Sequence, residues 1–344
     1  MIGIRVDANE VIATGHVMRS ITIARQLIKR GEEVRFFIAD EFAASLLDLA
    51  GMDKICLHTK WDRLEEEIEV LSGELERAGC TKLLVDSYQV TEHYLGELRK
   101  ICKVIYIDDM FEAVYPVDMI INYNAYHERF PYKEAYGMDT KLLLGTAYVP
   151  LREEFFLSTD KEREETEMEK QHVLISSGGG DVYNAISGIL AEAVNRKGLT
   201  GLVFDVVVGS FHKNVDELEA LAEEYHQIVL HKNVNHMAEL MSRCSAAVSA
   251  AGTVLFELCA MQVPTVFFVC ADNQKYDSEF FEKEERMLFA GDIRFQRMQC
   301  IERICAGIER LTHEKVLREE MKIKLHRVTD GNGASLIAEE LISL

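Results

Sequence analysis

Short apolar runs alternate with longer stretches in which apolar positions recur every three or four residues, and the alternation continues along most of the chain. Runs of the first kind mark strands buried on both faces, and stretches of the second kind mark helices with one face in the core. In the first half the pattern predicts strands at 3–7, 34–38, 54–57, 83–86, 104–108, 119–122 and 142–145, with helices near 16–30, 42–50, 62–79 and 91–101. In the second half it predicts strands at 172–176, 203–208, 228–230, 246–249 and 265–269, with helices near 182–196, 214–225, 235–243, 252–261 and 276–289. Helical patterns at 299–311, 314–326 and 333–342 close the chain, the last introduced by the turn DGNG at 330–333. Strands alternating with helices in this way make parallel sheets joined by crossovers, so the fold class is α/β.

Between the halves lies STDKEREETEMEK, residues 158–170, a mixed-charge run without a core-facing stripe that reads as a solvated linker. The expected organisation is a Rossmann-like domain over 1–157, the linker over 158–170, and a second Rossmann-like domain over 171–344, whose last helix is free to pack back on the first. Two such domains are expected to face each other across a cleft, because sheets of this kind bind ligands beyond the carboxyl ends of their strands.

Composition narrows the functions. With 38 lysine plus arginine against 58 aspartate plus glutamate, the net charge of −20 repels a polyanion, and no nucleic-acid partner is expected. The longest strongly apolar stretch, 263–271, is far shorter than the ~20 residues of a spanning helix and contains Pro264, so no membrane insertion is expected. The opening MIGIRVD lacks the basic flank and apolar core of a secretory signal, which points to the cytoplasm. Eight cysteines, none in a CxxC pair, read as reduced and mostly buried thiols.

Three segments offer chemistry. In RVDANEVIATGHVMRSITIARQL, residues 5–27, a strand ends at Asp7 and a helix begins near His16. Gly15 allows close approach of the backbone, and the first-turn N–H groups with Arg19 suit an anion or a polar sugar group. A histidine at a helix N-terminus has a lowered pKa and can accept a proton at neutral pH, so His16 reads either as a general base or as a helix-start residue packed on the loop. In HVLISSGGGDVYN, residues 172–184, Gly178, Gly179 and Gly180 form a loop able to wrap a phosphate, or simply a tight turn, before a helix with Asp181 as its expected N-cap. No Lys-Ser/Thr pair follows, and Tyr183 stands where a dinucleotide fingerprint needs glycine, so neither a Walker loop nor a nicotinamide cofactor is expected.

The third segment, SAAGTVLFELCAMQVPTVFFVCADNQ at 249–274, sets Gly252, Thr253 and Glu257 at one strand end and Asp272, Asn273 and Gln274 at the next. A glutamate one turn into a helix and aimed at the strand ends suits the vicinal hydroxyls of a ribose. VDSYQ at 85–89 offers Tyr88 at another strand end. Asp108 and Asp109 in YIDDM point opposite ways on an extended segment, and His231 and His236 lack ligand-spaced partners, so no metal is expected. GxSxG, HExxH and kinase signatures are absent.

Taken in this order, the segments resemble the UDP-sugar hydrolase family of pseudaminic acid biosynthesis, which includes proteins labelled spore coat polysaccharide biosynthesis proteins. The likeness runs nearly end to end: RVDANEVIATGHVMR, LVDSY, YIDD, LLGTAYVPLREEF, SSGGGDVYN, SAAGTVLFELCAMQVPTV, ADNQ and DGNGASLIAEEL all match family patterns. That family is similar in turn to the glycosyltransferase that makes lipid II, with two Rossmann-like domains of GT-B type. The resemblance implies hydrolysis of a UDP-linked 2,4-diacetamido-2,4,6-trideoxy sugar with inversion at the anomeric carbon and without cofactor or obligatory metal. It implies His16 as base, Gly15, Arg19, Tyr88 and Asn273 on the sugar, and Gly178, Gly179, Gly180, Gly252, Thr253, Glu257 and Gln274 on the nucleotide. The alternatives are an inverting glycosyltransferase on the same fold and a nucleotide-sugar binding protein without turnover.

Overall fold

The first strands form where the apolar runs are: β1 (Ile2–Val6), β2 (Val34–Ile38), β3 (Lys54–Cys56), β4 (Lys82–Asp86), β5 (Lys103–Ile107), β6 (Met119–Asn122) and β7 (Lys141–Leu144). Among them run helices α1 (Gly15–Lys29), α2 (Ala44–Ala50), α3 (Ile68–Ala78), α4 (Glu92–Arg99) and α5 (Tyr132–Ala135). After α6 (Glu153–Leu157), the second set is β8 (His172–Ser176), α7 (Ala185–Ala193), β9 (Val203–Val208), α8 (Val215–Glu224), β10 (Ile228–Lys232), α9 (Met237–Ser242), β11 (Cys244–Ala250), α10 (Val254–Ala260), β12 (Thr265–Val269), α11 (Lys275–Glu282) and β13 (Leu288–Asp292). Helices α12 (Arg297–His313), α13 (Lys315–His326) and α14 (Gly333–Ser343) complete the chain. This computed structural model describes residues 1–9, 12, 14–157, 171–178, 180–209 and 212–344, so the expected linker at 158–170 lies outside the described residues.

The chain divides into two compact units, residues 1–152 with 332–344, and residues 153–331. In the first, seven strands run in the order β3-β2-β1-β4-β5-β6-β7, all pairings parallel. In the second, six strands run in the order β10-β9-β8-β11-β12-β13, again parallel throughout. Strand order therefore reverses between β1 and β4 in one sheet and between β8 and β11 in the other, which places a crevice at the carboxyl ends of those strands. The three glycine- and histidine-bearing segments all begin at these strand ends.

The last helix belongs to the first unit because its apolar face, Ala334, Ile337, Ala338 and Leu341, is buried there. Lys82 at the start of β4 donates to the Leu341 and Ile342 carbonyls at 2.7 Å, satisfying acceptors that a helix C-terminus leaves open. Gly333 is required at the entry, since a Cβ there would meet the Val149 carbonyl oxygen at 2.2 Å.

Two expectations are corrected. The helix predicted over 276–289 stops at Glu282, because Glu284 and Glu285 adopt left-handed backbone with φ of 62° and 49°, and 288–292 pairs with β12 as strand β13. The helix predicted from 182 begins at Ala185, with Asn184 in left-handed conformation at its N-cap position. None of the eight cysteines forms a disulfide; six are buried, and Cys56 and Cys270 are half-buried.

Candidate active site

In the first unit the chain leaves β1 at Asp7 and enters α1 at Gly15, which puts His16 in the first turn over the point where strand order reverses. His16 is buried at 7 % exposure, and Tyr88, leaving the end of β4, packs its ring edge-on against the imidazole at 4.7 Å and 85°. His16 Nδ1 lies 3.7 Å from Asp86 Oδ1, too far for a hydrogen bond, and is buried with no hydrogen-bond partner. Burial pushes the imidazole below its ordinary pKa, outweighing the upward pull of Asp86, and Arg19 pushes it further down. The expected direction thus holds, but with burial as the main cause. The result is a neutral imidazole at pH 7.

Arg19, expected to face an anion or a sugar, is engaged by groups of its own unit. Its Nε and Nη2 donate to both Asp86 oxygens at 2.6 and 2.5 Å, and its Nη1 donates to Asp109 at 2.9 Å and to the Tyr123 hydroxyl. A guanidinium spent on two carboxylates has no fork left for a ligand. Tyr88 is likewise partly committed: its ring is exposed, but its hydroxyl donates to Asp109 at 3.0 Å. Burial alone would raise the Asp86 carboxyl, yet Arg19, His16 and Ser20 together hold it below its usual value, so it is ionised.

Asp108, beside Asp109, turns inward and accepts the Met110 and Phe111 amides at 3.1 and 2.8 Å. The floor of this crevice thus carries Asp7, Asp86, Asp108 and Asp109 against Arg5 and Arg19, all of them largely buried. Sequence reasoning weighed Asp109 only as a metal ligand and passed over Asp86 and Tyr123. A signal was present, since three apolar strand runs each end in aspartate: IRVD, LLVD and YIDD.

The second unit presents its polar groups at the ends of β8, β11 and β12, the three central strands. Gly178 has φ +82°, which only glycine adopts freely, and its N–H donates to Ser176 Oγ at 3.2 Å. Gly180 follows, while Gly179 lies outside the described residues, as does the side chain of Asn273. Asp181 caps α7 from four residues upstream, accepting the Ala185 and Ile186 amides at 2.8 Å each, so those two helical N–H groups are closed to a phosphate.

Gly252 departs from β11 without positive φ, and a Cβ there would meet nothing within 4 Å; the same is true of Gly15 in the first unit. The fold does not need glycine at either place, and both border the reversal points. Thr253 is exposed at the N-cap position of α10, with no hydrogen bond from its side chain to the helix. Glu257 is half-buried in the first turn of that helix. Gln274 Oε1 accepts the Cys270 and Ala271 amides at 2.8 and 3.2 Å, bracing the turn after β12. His212, which the motifs did not single out, is buried beyond β9 with Nε2 3.6 Å from Asp181. Among the described residues no group of three or more His, Cys, Asp or Glu is placed to hold a metal ion, and no helix is long and apolar enough to cross a membrane.

No protein-family profile matches the chain. It is 22 % identical over 282 residues to the UDP-2,4-diacetamido-2,4,6-trideoxy-β-L-altropyranose hydrolase of Campylobacter jejuni, covering 81 % of this chain and 95 % of that one. Among solved structures it is similar to MurG of Acinetobacter baumannii, with TM-score 0.69 at 13 % identity, covering 100 % and 99 % of the two chains. It is similar also to the UDP-GlcNAc 2-epimerase of Neisseria meningitidis bound to UDP-GlcNAc, with TM-score 0.68 at 16 % identity and full coverage of both. These likenesses match the resemblance carried by the motifs, and the fold is the two-domain α/β arrangement of GT-B type.

Proposed function

We propose that the chain is an enzyme that processes a UDP-linked sugar and that, within this class, it hydrolyses a UDP-linked 2,4-diacetamido-2,4,6-trideoxy sugar to UDP and the free sugar. A place in the making of a nonulosonic acid such as pseudaminic acid, or of a surface polysaccharide, and a cytoplasmic location belong to the same proposal. The observation that carries it is His16, a buried imidazole held neutral at a strand-order reversal beside the ionised Asp86. Support for the substrate class comes from the hydrolase relative and from the two structural neighbours.

In this scheme the first unit supplies the base and, with Gly15 and Tyr88, part of the sugar contact, to which Asn273 adds. The second supplies the nucleotide contacts: the loop at 178–180, Gly252, Thr253, Glu257 and Gln274. The water oxygen bonds to the anomeric carbon from the face opposite UDP. The bond from that carbon to the diphosphate oxygen breaks, its electron pair leaves on UDP, and the water proton passes to His16. Because attack and departure are on opposite faces, the first sugar product carries inverted configuration. Proton NMR of a fresh reaction with a UDP-diacetamido sugar and no acceptor should show the inverted anomer appearing with UDP, ahead of mutarotation. Retention of configuration would remove the single-displacement scheme. The likeness to MurG favours an inverting transferase as the second reading, under which the same mixture releases UDP only after an acceptor is added.

Nucleotide recognition is testable by itself. Glu257→Gln keeps the shape of the side chain and removes its charge, so UDP affinity should weaken by roughly 1–3 kcal/mol, the worth of a hydrogen bond to a charged acceptor. Isothermal calorimetry measures it; an unchanged dissociation constant rules Glu257 out as the ribose ligand. The scheme uses no metal, so the same titration in EDTA is expected to give the same affinity.

A further inference from the structure

We propose that Arg19 is a positioning residue for His16: it grips Asp86 with one edge of its guanidinium and Asp109 with the other, holding Asp86 short of a hydrogen bond to His16 Nδ1 and anchoring the Tyr88 ring through Asp109. The inference rests on the reading of His16 as the base. Its geometry is a chain of contacts drawn from four elements: Arg19 on α1, Asp86 at the end of β4, Asp109 beyond β5 and Tyr123 beyond β6. Tyr88, whose ring covers the imidazole at 4.7 Å, is held by its hydroxyl to the Asp109 oxygen that also accepts from Arg19.

The chemical consequence follows from where each charge is spent. An ionised carboxylate 3.7 Å from Nδ1 favours the tautomer with hydrogen on that nitrogen, which leaves the lone pair on Nε2 for the attacking water. With both oxygens bonded to Arg19, Asp86 is held 3.7 Å from the imidazole, and the guanidinium offsets part of its upward pull on the His16 titration. Were the carboxylate free to close, it would stabilise the imidazolium and move the His16 titration upward. Among the described residues, the charged and titratable groups acting on or packed against His16 are Asp7 just beyond β1, Asp86 at the end of β4 with Tyr88 beyond it, Asp109 beyond β5 and Arg19 on its own helix. Among the charged ones Arg19 alone is positive.

The test is a histidine NMR titration of the full chain with labelled imidazoles, the His16 signal being identified by its loss in His16→Asn, alongside pH profiles of kcat/KM with the UDP-sugar. In Arg19→Gln, His16 should titrate at higher pH than in the parent, and the ratio of kcat/KM at pH 6 to that at pH 8 should fall by roughly three- to tenfold. Asp86→Asn should move the titration the other way and weaken the preference for hydrogen on Nδ1. Arg19→Lys, which keeps the charge but has no fork, should keep the titration nearer the parent while loosening Tyr88, seen as broadened Tyr88 ring signals. Should Arg19→Gln not fold, Asp86→Asn and Arg19→Lys carry the test. A His16 titration unmoved by these variants overturns the role of Arg19. If the titration moves as expected but His16→Asn still turns over normally, the coupling stands and the base assignment fails.

Discussion

Replacing His16 with asparagine should lower turnover of the UDP-sugar by about 100- to 10,000-fold, the range for loss of a general base, while leaving UDP affinity nearly intact. Asparagine keeps the approximate size of the imidazole against Tyr88 but cannot accept a proton, so the step lost is proton removal from the attacking water. UDP itself is a competent leaving group, and the scheme already assigns its contacts to the second unit, so what the reaction lacks without His16 is the base. The pH profile gives an independent check. Burial holds His16 below the ordinary histidine pKa of about 6.5, so the acid limb of kcat/KM should lie below that value, activity being lost as pH falls and the imidazole is protonated. UDP release followed by a coupled assay, with calorimetry for UDP, measures both quantities. Parent-level turnover in the asparagine variant would leave His16 as a helix-start residue packed on its loop.

Arg5→Ala should destabilise the first unit by about 3–5 kcal/mol, the cost of leaving a buried carboxylate without its partner. Arg5 sits mid-strand in β1 and is fully buried, a position that apolar periodicity assigns to an aliphatic residue. Its Nε and Nη2 donate to the two oxygens of Glu67 at 2.6 and 2.9 Å, and its Nη1 donates to Asp7 at 2.5 Å. The Tyr94 and Thr59 hydroxyls each donate to Glu67 at 2.8 Å, so the carboxylate is saturated only while Arg5 is present. Burial by itself would lower the Arg5 pKa, but Asp7 and Glu67 raise it well above the ordinary value, and the guanidinium stays charged. Removing it strands Glu67, which is wholly buried, and loosens Asp7 at the mouth of the loop leading to His16. The chain has one tryptophan, Trp61, two residues beyond Thr59, so its fluorescence reports this unit. The urea midpoint of that signal should fall by roughly 2 M for a typical denaturant slope. A midpoint within a few tenths molar of the parent would show that the surroundings relax to rehydrate Glu67.

Much of this was legible in the chain. Strands 119–122, 172–176, 203–208 and 265–269 were bounded to the residue, because a strand buried on both faces is mostly apolar along its length and these runs are too short for helices. Gly15, His16, Gly178 and Gly252 stood out because glycine and histidine at a strand-to-helix turn are local features. Strand β13 was lost to helical periodicity because the break comes from two glutamates in left-handed conformation, which no local preference demands.

Partnership was not legible. Arg19 read as a ligand for an anion because its carboxylates, Asp86 and Asp109, are 67 and 90 residues away, and Arg5 carried no sign of Glu67, 62 residues on. Asp181 looked like an ordinary N-cap, and only the folded loop turns its carboxylate onto Ala185 and Ile186. The return of the last helix to the first domain was open to the sequence, but not its cap by Lys82, 259 residues before the Leu341 carbonyl. Sequence alone determined which segments become strands, which become helices and where glycine and histidine meet a strand end, because those follow from local period and backbone freedom. Tertiary structure decided which charges neutralise one another, and therefore which side chains remain for chemistry, because a charge is committed or available only once distant strands have brought its partners within hydrogen-bond range.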